Sequence, residues 1–239
     1  MRKLNVLLTI TFLSFIFAAN AQDSPKNAEK KEGYQFTELK RLPATSVKSQ
    51  DRAGTCWSWS ALSFLESEMI RKGKDSASLA PLHIVWNTYN EKAIRYVRMH
   101  GKLNFSQGGS FADVIWSIKK DGIVPFDVYT GLNYGDSIHA HSELERVLKA
   151  YVDVIIRNPN RKLSTAWLRG YNGILNAYLG EKPEKFTYKG KEYTPQSFYT
   201  DVTGLDMDDY VSLTSFTHHP FYTSFALEIP DNWIGETCV

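Results

Sequence analysis

The sequence predicts an α+β fold in which helices come first and strands follow. Five segments between residues 56 and 178 place apolar side chains at the spacing of one helix face. After residue 185 the spacing changes to the two-residue alternation that is typical of strands. The chain has 239 residues, of which 43% are hydrophobic, so it can bury one sizeable core.

Each predicted helix rests on its apolar spacing and on the residues that stop it. The spacing places the five helices at residues 56–72, 81–99, 111–118, 144–155 and 167–178. Gly73 suits a left-handed end for the first helix. The Asp121-Gly122 pair ends the third, and "NPN" at residues 158–160 ends the fourth.

Three later segments predict strands. "KFTYKGKEYT", residues 185–194, predicts a hairpin that turns at Lys189-Gly190. "DYVSLTSF", residues 209–216, and "FYTSFALEI", residues 221–229, alternate apolar and polar side chains and predict two further strands.

The N-terminal segment predicts export. Residues 1–21 combine a positively charged start, a short apolar run and a small-x-small cleavage pattern, which are the parts of a secretory signal peptide. Residues 22–33 are polar without apolar periodicity and predict a flexible linker before a globular region at residues 34–239. We therefore expect a periplasmic or extracellular protein that leaves the membrane after cleavage, with a retained N-terminal anchor as the alternative.

Charge and motifs exclude several function classes. With Arg2 and Lys3 of the signal set aside, 26 basic residues balance 26 acidic ones, so no nucleic-acid partner is expected. The sequence has no phosphate-binding loop and no complete metal-ligand cluster, so we expect no cofactor and no metal. His139 and His141 form an H-x-H pair that could be half of a metal site, but a surface pair at a helix start is favoured.

The segment "QDRAGTCWSWS", residues 50–60, carries the candidate chemistry. Cys56 follows Gly54-Thr55 at the start of a helix, where free N–H groups and the helix dipole favour a thiolate. Trp57 would shield the sulfur, and the amide of Gln50 could donate to an oxygen that develops negative charge beside it. Nucleophile and donor together indicate acyl transfer. A buried structural cysteine and a Cys56–Cys238 disulfide are the alternatives.

Longer segments resemble a known family. "SVKSQDRAGTCWSWSALSFLESEM", "YVRMHGKLNFSQGGSFADVIWSIKKDGIVP" and "FTYKGKEYTPQSFYTDV" are similar to papain-like cysteine peptidases of the bleomycin hydrolase (aminopeptidase C) branch, in its exported bacterial form. The resemblance covers residues 34–233. It implies a papain-like α+β fold whose helical half has a central helix starting at Cys56, followed by an incomplete β-rich half. Residues 34–239 would then be a partial peptidase domain.

The resemblance also implies roles for single residues. Cys56 matches the family's nucleophile and Gln50 its oxyanion-hole donor. Gly108 and Gly109 match the pair whose backbone binds the substrate, and Trp57 would also contact it; a simple turn before the third helix is the other interpretation of the glycines. The implied function is a cysteine aminopeptidase that cleaves peptides through a Cys56 thioester. Family members form homo-oligomers, which leaves the oligomeric state of this chain open.

The sequence departs from the family near its end. The family uses a histidine to take the thiol proton and an asparagine, in an Asn-Ser-Trp run, to orient that histidine. This chain has no such run, and the resemblance ends near Trp233. We therefore expect a truncated chain without the second wall of the cleft, and a non-catalytic peptide-binding protein is the alternative function. His219, with Asn232 after it, imitates the order of the missing pair, but Pro220 follows it at once.

Overall fold

The computed structural model describes residues 33–227 and 236–239. The predicted signal peptide, the linker up to residue 32 and Asn232 lie outside the described residues. Residues 42–239 group into one compact unit. Its helices are α1 (Cys56–Arg71), α2 (Pro81–Arg98), α3 (Phe111–Asp121), α4 (Ser142–Ile156), α5 (Trp167–Leu179) and the short α6 (Pro195–Phe198). Its strands are β1 (Phe186–Tyr188), β2 (Lys191–Tyr193), β3 (Phe225–Leu227) and β4 (Glu236–Cys238).

The five long helices confirm the predicted helical half. Helix α1 packs on α2 and α3, while α2 also contacts α4 and α5. This shared position explains why apolar residues surround much of α2, since a helix covered by several neighbours is buried on several faces. The buried apolar residues of α2 are Leu82, Ile84, Val85, Trp86, Tyr89, Ala93, Tyr96 and Val97.

Helix α1 ends where the sequence predicts. Gly73 has a φ of +69°, and its N–H donates to the Ile70 carbonyl at 3.0 Å. The N–H of Lys74 donates to the Met69 carbonyl at 2.9 Å. These two bonds form a Schellman motif, which satisfies carbonyls that the end of a helix would otherwise leave without donors.

Helix α3 is delimited at both ends by its own sequence. Ser110 and Asp113 form a reciprocal capping box at its start. Gly122 follows its end with a φ of +73°, and a Cβ there would lie 2.3 Å from the Pro195 backbone carbon. Glycine at this position therefore lets α6 lie directly against the end of α3.

The predicted hairpin is confirmed. Strands β1 and β2 pair antiparallel with Phe186 opposite Tyr193, and the turn residues Lys189 and Gly190 have φ values of +47° and +80°. Two successive positive φ values fit the right-handed twist of a two-residue hairpin. The inner face of the hairpin packs on the fully buried ring of Phe198.

The prediction of a strand at residues 209–216 was wrong. Only Ser212 forms a β-bridge there, to Cys238, while Val211 and Leu213 are 64% and 80% exposed. Ser212 and Thr214 exchange backbone hydrogen bonds with Val239, but among the described residues no sheet buries the side chains of Val211 and Leu213. Of the predicted strand at 221–229, residues 225–227 form β3, which pairs antiparallel with β4, and residues 228–229 lie outside the described residues.

Within residues 33–227 and 236–239, no helix is both long enough and apolar enough to cross a lipid bilayer.

Candidate active site

Cys56 is the first residue of α1, and its thiol is exposed. Thr55, directly before the helix, does not cap it, because its hydroxyl accepts a hydrogen bond from the Trp59 indole at 3.1 Å instead. The first turn of α1 contains no acidic residue. The helix start therefore presents its N–H groups and positive dipole end to the region of the sulfur without a competing carboxylate on that turn.

Both structural alternatives for Cys56 were wrong. Its exposure excludes a buried structural role. Cys238 is 4% exposed on β4, and the two cysteines form no disulfide. Cys56 is thus an accessible thiol at a helix start.

Gln50 lies in the tight turn that leads into α1. Its side-chain amide donates to the Ala53 carbonyl at 2.7 Å, and the Ala53 N–H donates back to the Gln50 carbonyl at 3.2 Å. An amide nitrogen carries two N–H groups, so this bond orients the side chain while leaving the second N–H for another acceptor. The turn thereby fixes Gln50 six residues before Cys56 without using all of its donor capacity.

A neighbouring loop holds this turn. Asp51 has a φ of +52°, and its carboxylate accepts the N–H of His139 at 3.1 Å. The N–H of Arg52 donates to the His139 carbonyl at 2.8 Å. The hydrogen bond from the His139 backbone is the main reason why the pKa of Asp51 lies below its usual value. These hydrogen bonds to His139 hold Asp51, the left-handed residue at the start of the turn that leads into α1.

A buried carboxylate anchors the chain before the turn. Glu66 of α1 is completely buried and accepts hydrogen bonds from the Lys48 ammonium at 2.6 Å and the Leu79 N–H at 2.7 Å. The hydroxyl of Thr45 donates to the same carboxylate. Residues 45–48 are thus tied to the middle of α1, which sets where the following turn begins.

The glycine pair lies beside Trp57. The Trp57 indole donates to the Gln107 carbonyl at 2.9 Å. A Cβ on Gly109 would lie 2.6 Å from the indole ring, so only glycine allows this approach. The buried ammonium of Lys92 donates to the Gly108 carbonyl. The structure therefore brings Trp57, Gly108 and Gly109 together beside the start of α1.

Sequence reasoning missed three side chains that organise this region: Gln107, Lys92 and Glu145. The side-chain oxygen of Gln107 accepts the Gly54 N–H at 2.6 Å, and its amide nitrogen donates to Glu145 at 2.6 Å. The polar residue beside the Gly-Gly pair in "SQGGS" was the available signal for Gln107. Lys92 and Glu145 lie on separate helices, so no local pattern identifies them.

His139 and His141 are buried, whereas the sequence predicted that they lie at the surface. His139 and His141 are 4% and 0% exposed, so the predicted surface pair was wrong. The ring of His139 lies 5.4 Å from that of Trp59 and 6.2 Å from that of His141. Burial lowers the pKa of both, that of His141 to about 4. Within the described residues, no group of three or more His, Cys, Asp or Glu side chains is placed to hold a metal ion.

His83 is buried, whereas His219 stacks on an aromatic ring. His83, at the start of α2, is 1% exposed, and its pKa falls to about 3, chiefly through burial. His219 stacks on Phe225 with a ring distance of 3.8 Å and lies 4.4 Å from the ring of His218. These described contacts tie His219 to β3.

The close fit of Gly109 makes a testable prediction. Gly109→Ala should destabilise the protein by roughly 2 kcal/mol or more, because the new methyl group must displace either the Trp57 indole or Asp113. Gly173→Ala in α5 is the matched control, since a Cβ there meets no atom within 4 Å and alanine favours a helix by about 1 kcal/mol. Urea denaturation measures both. Equal effects of the two variants would contradict the close packing of Gly109 on Trp57.

Comparison with known proteins agrees with a papain-like fold. The described helices and short strands match a crystal structure titled PepW from Lactobacillus rhamnosis HN001 with a TM-score of 0.59 and 20% identity, over 81% of this chain and 52% of that one. At this identity the likeness concerns the fold. It confirms the predicted α+β fold class.

The family model of the Peptidase C1-like family matches residues 82–239, which is more than half of the chain. The chain belongs to this family. The matched span contains Gly108 and Gly109, whereas Cys56 and Gln50 precede it.

Curated relatives are named as aminopeptidases. Aminopeptidase G of Lactobacillus delbrueckii subsp. lactis is 25% identical over 230 residues, and Aminopeptidase C of Lactococcus lactis subsp. cremoris is 25% identical over 233 residues. Each alignment covers 81% of this chain and 52% of the relative. The chain thus spans about half the length of the curated relatives it matches.

Proposed function

We propose that this chain carries the nucleophile of a cysteine aminopeptidase, with Cys56 as the attacking thiol. The observation that carries the proposal is the exposed thiol at the first position of α1, beside Trp57 and the glycine pair. The names of the curated relatives support peptides as substrates and removal of an N-terminal residue as the reaction. The signal-like residues 1–21 support action outside the cytoplasm.

The proposed chemistry begins with attack of the Cys56 thiolate on a peptide carbonyl carbon. A C–S bond forms, the carbonyl electrons move to oxygen, and the second N–H of Gln50 stabilises the resulting oxyanion. When the oxyanion collapses, the C–N bond breaks, the amine takes up a proton and leaves, and an acyl group remains on sulfur as a thioester. Water then hydrolyses the thioester and releases the thiol.

The leaving amine needs a proton donor. The contacts described for the histidines do not place any of them in hydrogen-bond contact with Cys56. His219 stacks on Phe225, while His139 and His141 are enclosed. A helix dipole favours the thiolate but supplies no proton to an amine. We therefore expect slow turnover of peptides by this chain alone, and non-catalytic peptide binding is the second candidate function.

The reactivity of Cys56 tests the proposal. The chain from residue 22 onward is treated with iodoacetamide at pH 6, and the alkylation rate of each cysteine is followed by peptide mass spectrometry. We expect Cys56 to react fastest, since it is exposed at the helix start whereas Cys238 is buried.

A matched control separates activation from mere exposure. The double variant C56S/S63C moves the thiol to an exposed position in the interior of the same helix. We expect Cys56 to react roughly ten times faster than this control, because the interior of a helix offers no free N–H groups. Equal rates would overturn the proposed nucleophile.

A further inference from the structure

Gln107 connects two parts of the molecule that are far apart in sequence. Its side-chain oxygen accepts the Gly54 N–H at 2.6 Å, two residues before Cys56. Its side-chain nitrogen donates to the carboxylate of Glu145 at 2.6 Å, in the first turn of α4. Its backbone carbonyl accepts from the Trp57 indole at 2.9 Å. Gln107 thus contacts the turn before Cys56, the Trp57 side chain after it, and helix α4.

The chemistry of its partners fixes the orientation of the Gln107 amide. A backbone N–H such as that of Gly54 can only donate, so it must meet the amide oxygen. An ionised carboxylate such as that of Glu145 can only accept, so it must meet the amide nitrogen. The reverse orientation would place donor against donor and acceptor against acceptor. Glu145 therefore holds Gln107 in the state that binds Gly54.

The Gly54 side of this link is closely packed. A Cβ on Gly54 would lie 3.1 Å from the Cβ of Gln107, so the turn and the side chain are in direct contact. The hydrogen bond satisfies an N–H that precedes the uncapped start of α1. If it is lost, the segment from Gly54 to Cys56 is free to shift, and the thiol moves relative to the free N–H groups at the start of α1.

We propose that Gln107 is a positioning residue for Cys56 and that Glu145 sets its orientation, so that the amide–carboxylate pair holds the turn carrying the nucleophile. The inference rests on the proposed function of Cys56. Gln107 acts through the Gly54 backbone and needs no contact with the substrate.

A reciprocal exchange of the two side chains tests the proposal through the alkylation rate of Cys56 at pH 7. Gln107→Glu places two carboxylates where an amide met a carboxylate, and we expect a roughly fivefold fall in rate. In Q107E/E145Q the amide introduced by E145Q donates to the carboxylate introduced by Q107E, whose oxygen still accepts from Gly54. The double variant should therefore recover the rate to within about twofold of the original.

Further variants separate positioning from folding and from charge. In Gln107→Met the side chain is similar in length and uncharged, and we expect the same fall in the alkylation rate of Cys56. This variant tests the positioning role if Q107E does not fold. Gln196→Glu changes charge at an exposed glutamine and should leave the rate unchanged. Melting temperatures measured alongside confirm that every rate belongs to folded protein.

The outcomes distinguish the two proposals. If Cys56 in the original chain reacts no faster than the C56S/S63C control, the proposed function fails. If Cys56 reacts faster but Q107M and Q107E keep that rate, the positioning role of Gln107 alone is overturned. If both single variants slow the reaction and Q107E/E145Q does not restore it, the role of Glu145 is overturned.

Discussion

Replacing Glu66 by alanine should lower the free energy of unfolding by about 3 kcal/mol. The carboxylate is fully buried and is shared by the Lys48 ammonium, the Thr45 hydroxyl and the Leu79 N–H. Its removal leaves a buried N–H at Leu79 without this acceptor and an ammonium that is only 19% exposed without its counter-charge. The loss is large because both groups keep their desolvation cost. Guanidinium denaturation of folded protein measures it.

The control for Glu66→Ala is the removal of a carboxylate from a solvent-exposed ion pair on the protein surface. Glu192 pairs with Lys185 at 2.8 Å, and both side chains are 64% exposed. Glu192→Ala should therefore change stability by less than about 1 kcal/mol. Similar losses for the two variants would contradict the anchoring role of Glu66. A further consequence is that Glu66→Ala should also slow alkylation of Cys56, because the segment before Gln50 loses its attachment to α1.

Acidification should destabilise the fold well before most carboxylates are protonated. His141 and His83 are buried, and burial lowers their pKa to about 4 and about 3 from the usual 6.5. Below pH 6.5 the unfolded chain therefore binds protons that the folded chain does not, and stability falls as pH falls. Each histidine should cost on the order of 3 kcal/mol by pH 4. Stability is therefore lost between pH 6.5 and the pKa values of the two histidines in the folded protein.

The groups that face these histidines modify the effect in known directions. His139 faces His141 and lowers its pKa further, while Asp51 opposes the lowering of the His139 pKa. Lys182 adds to the lowering of the His83 pKa. Burial is the first cause for all three histidines. Protonation at any of them therefore works against the folded state.

Urea denaturation at several pH values between 6.5 and 4.5 measures this dependence. His141→Phe keeps an aromatic ring beside Tyr89 but cannot bind a proton, so it should flatten the slope by up to about 1.4 kcal/mol per pH unit. His100→Asn is the control, since His100 is exposed and its φ of +52° suits asparagine. An unchanged slope in H141F would contradict the buried, neutral state of His141.

Local patterns predicted most of the helical half. The helix that begins at Cys56 and its end at Gly73 follow from apolar spacing and from the left-handed freedom of glycine. The turn at Lys189-Gly190 was visible for the same reason, since its φ values need a residue such as glycine. The predicted strand at residues 209–216 was wrong because alternation gives a strand only where a sheet buries one face.

The candidate site was predictable only in its local parts. Cys56, Gln50 and Trp57 lie within eight residues, and their spacing indicates one turn and one helix start. The link from Gly54 through Gln107 to Glu145 joins residues that are 53 and 38 positions apart, so only the tertiary fold reveals it. The burial of His139 has the same origin, because its ring packs on Trp59 of α1, which is far from it in sequence.

The central claim is that Cys56 is an acyl-accepting nucleophile, and an ester with a good leaving group tests it most directly. With an aminoacyl p-nitrophenyl ester, the thiolate displaces p-nitrophenolate, which leaves as an anion and needs no proton from a histidine. The acyl group then remains on sulfur, and mass spectrometry of the whole chain and of its peptides locates it. We expect rapid acylation of Cys56 that the C56S/S63C control does not reproduce. Acylation at equal rates in the control, or on Cys238 instead, would contradict it.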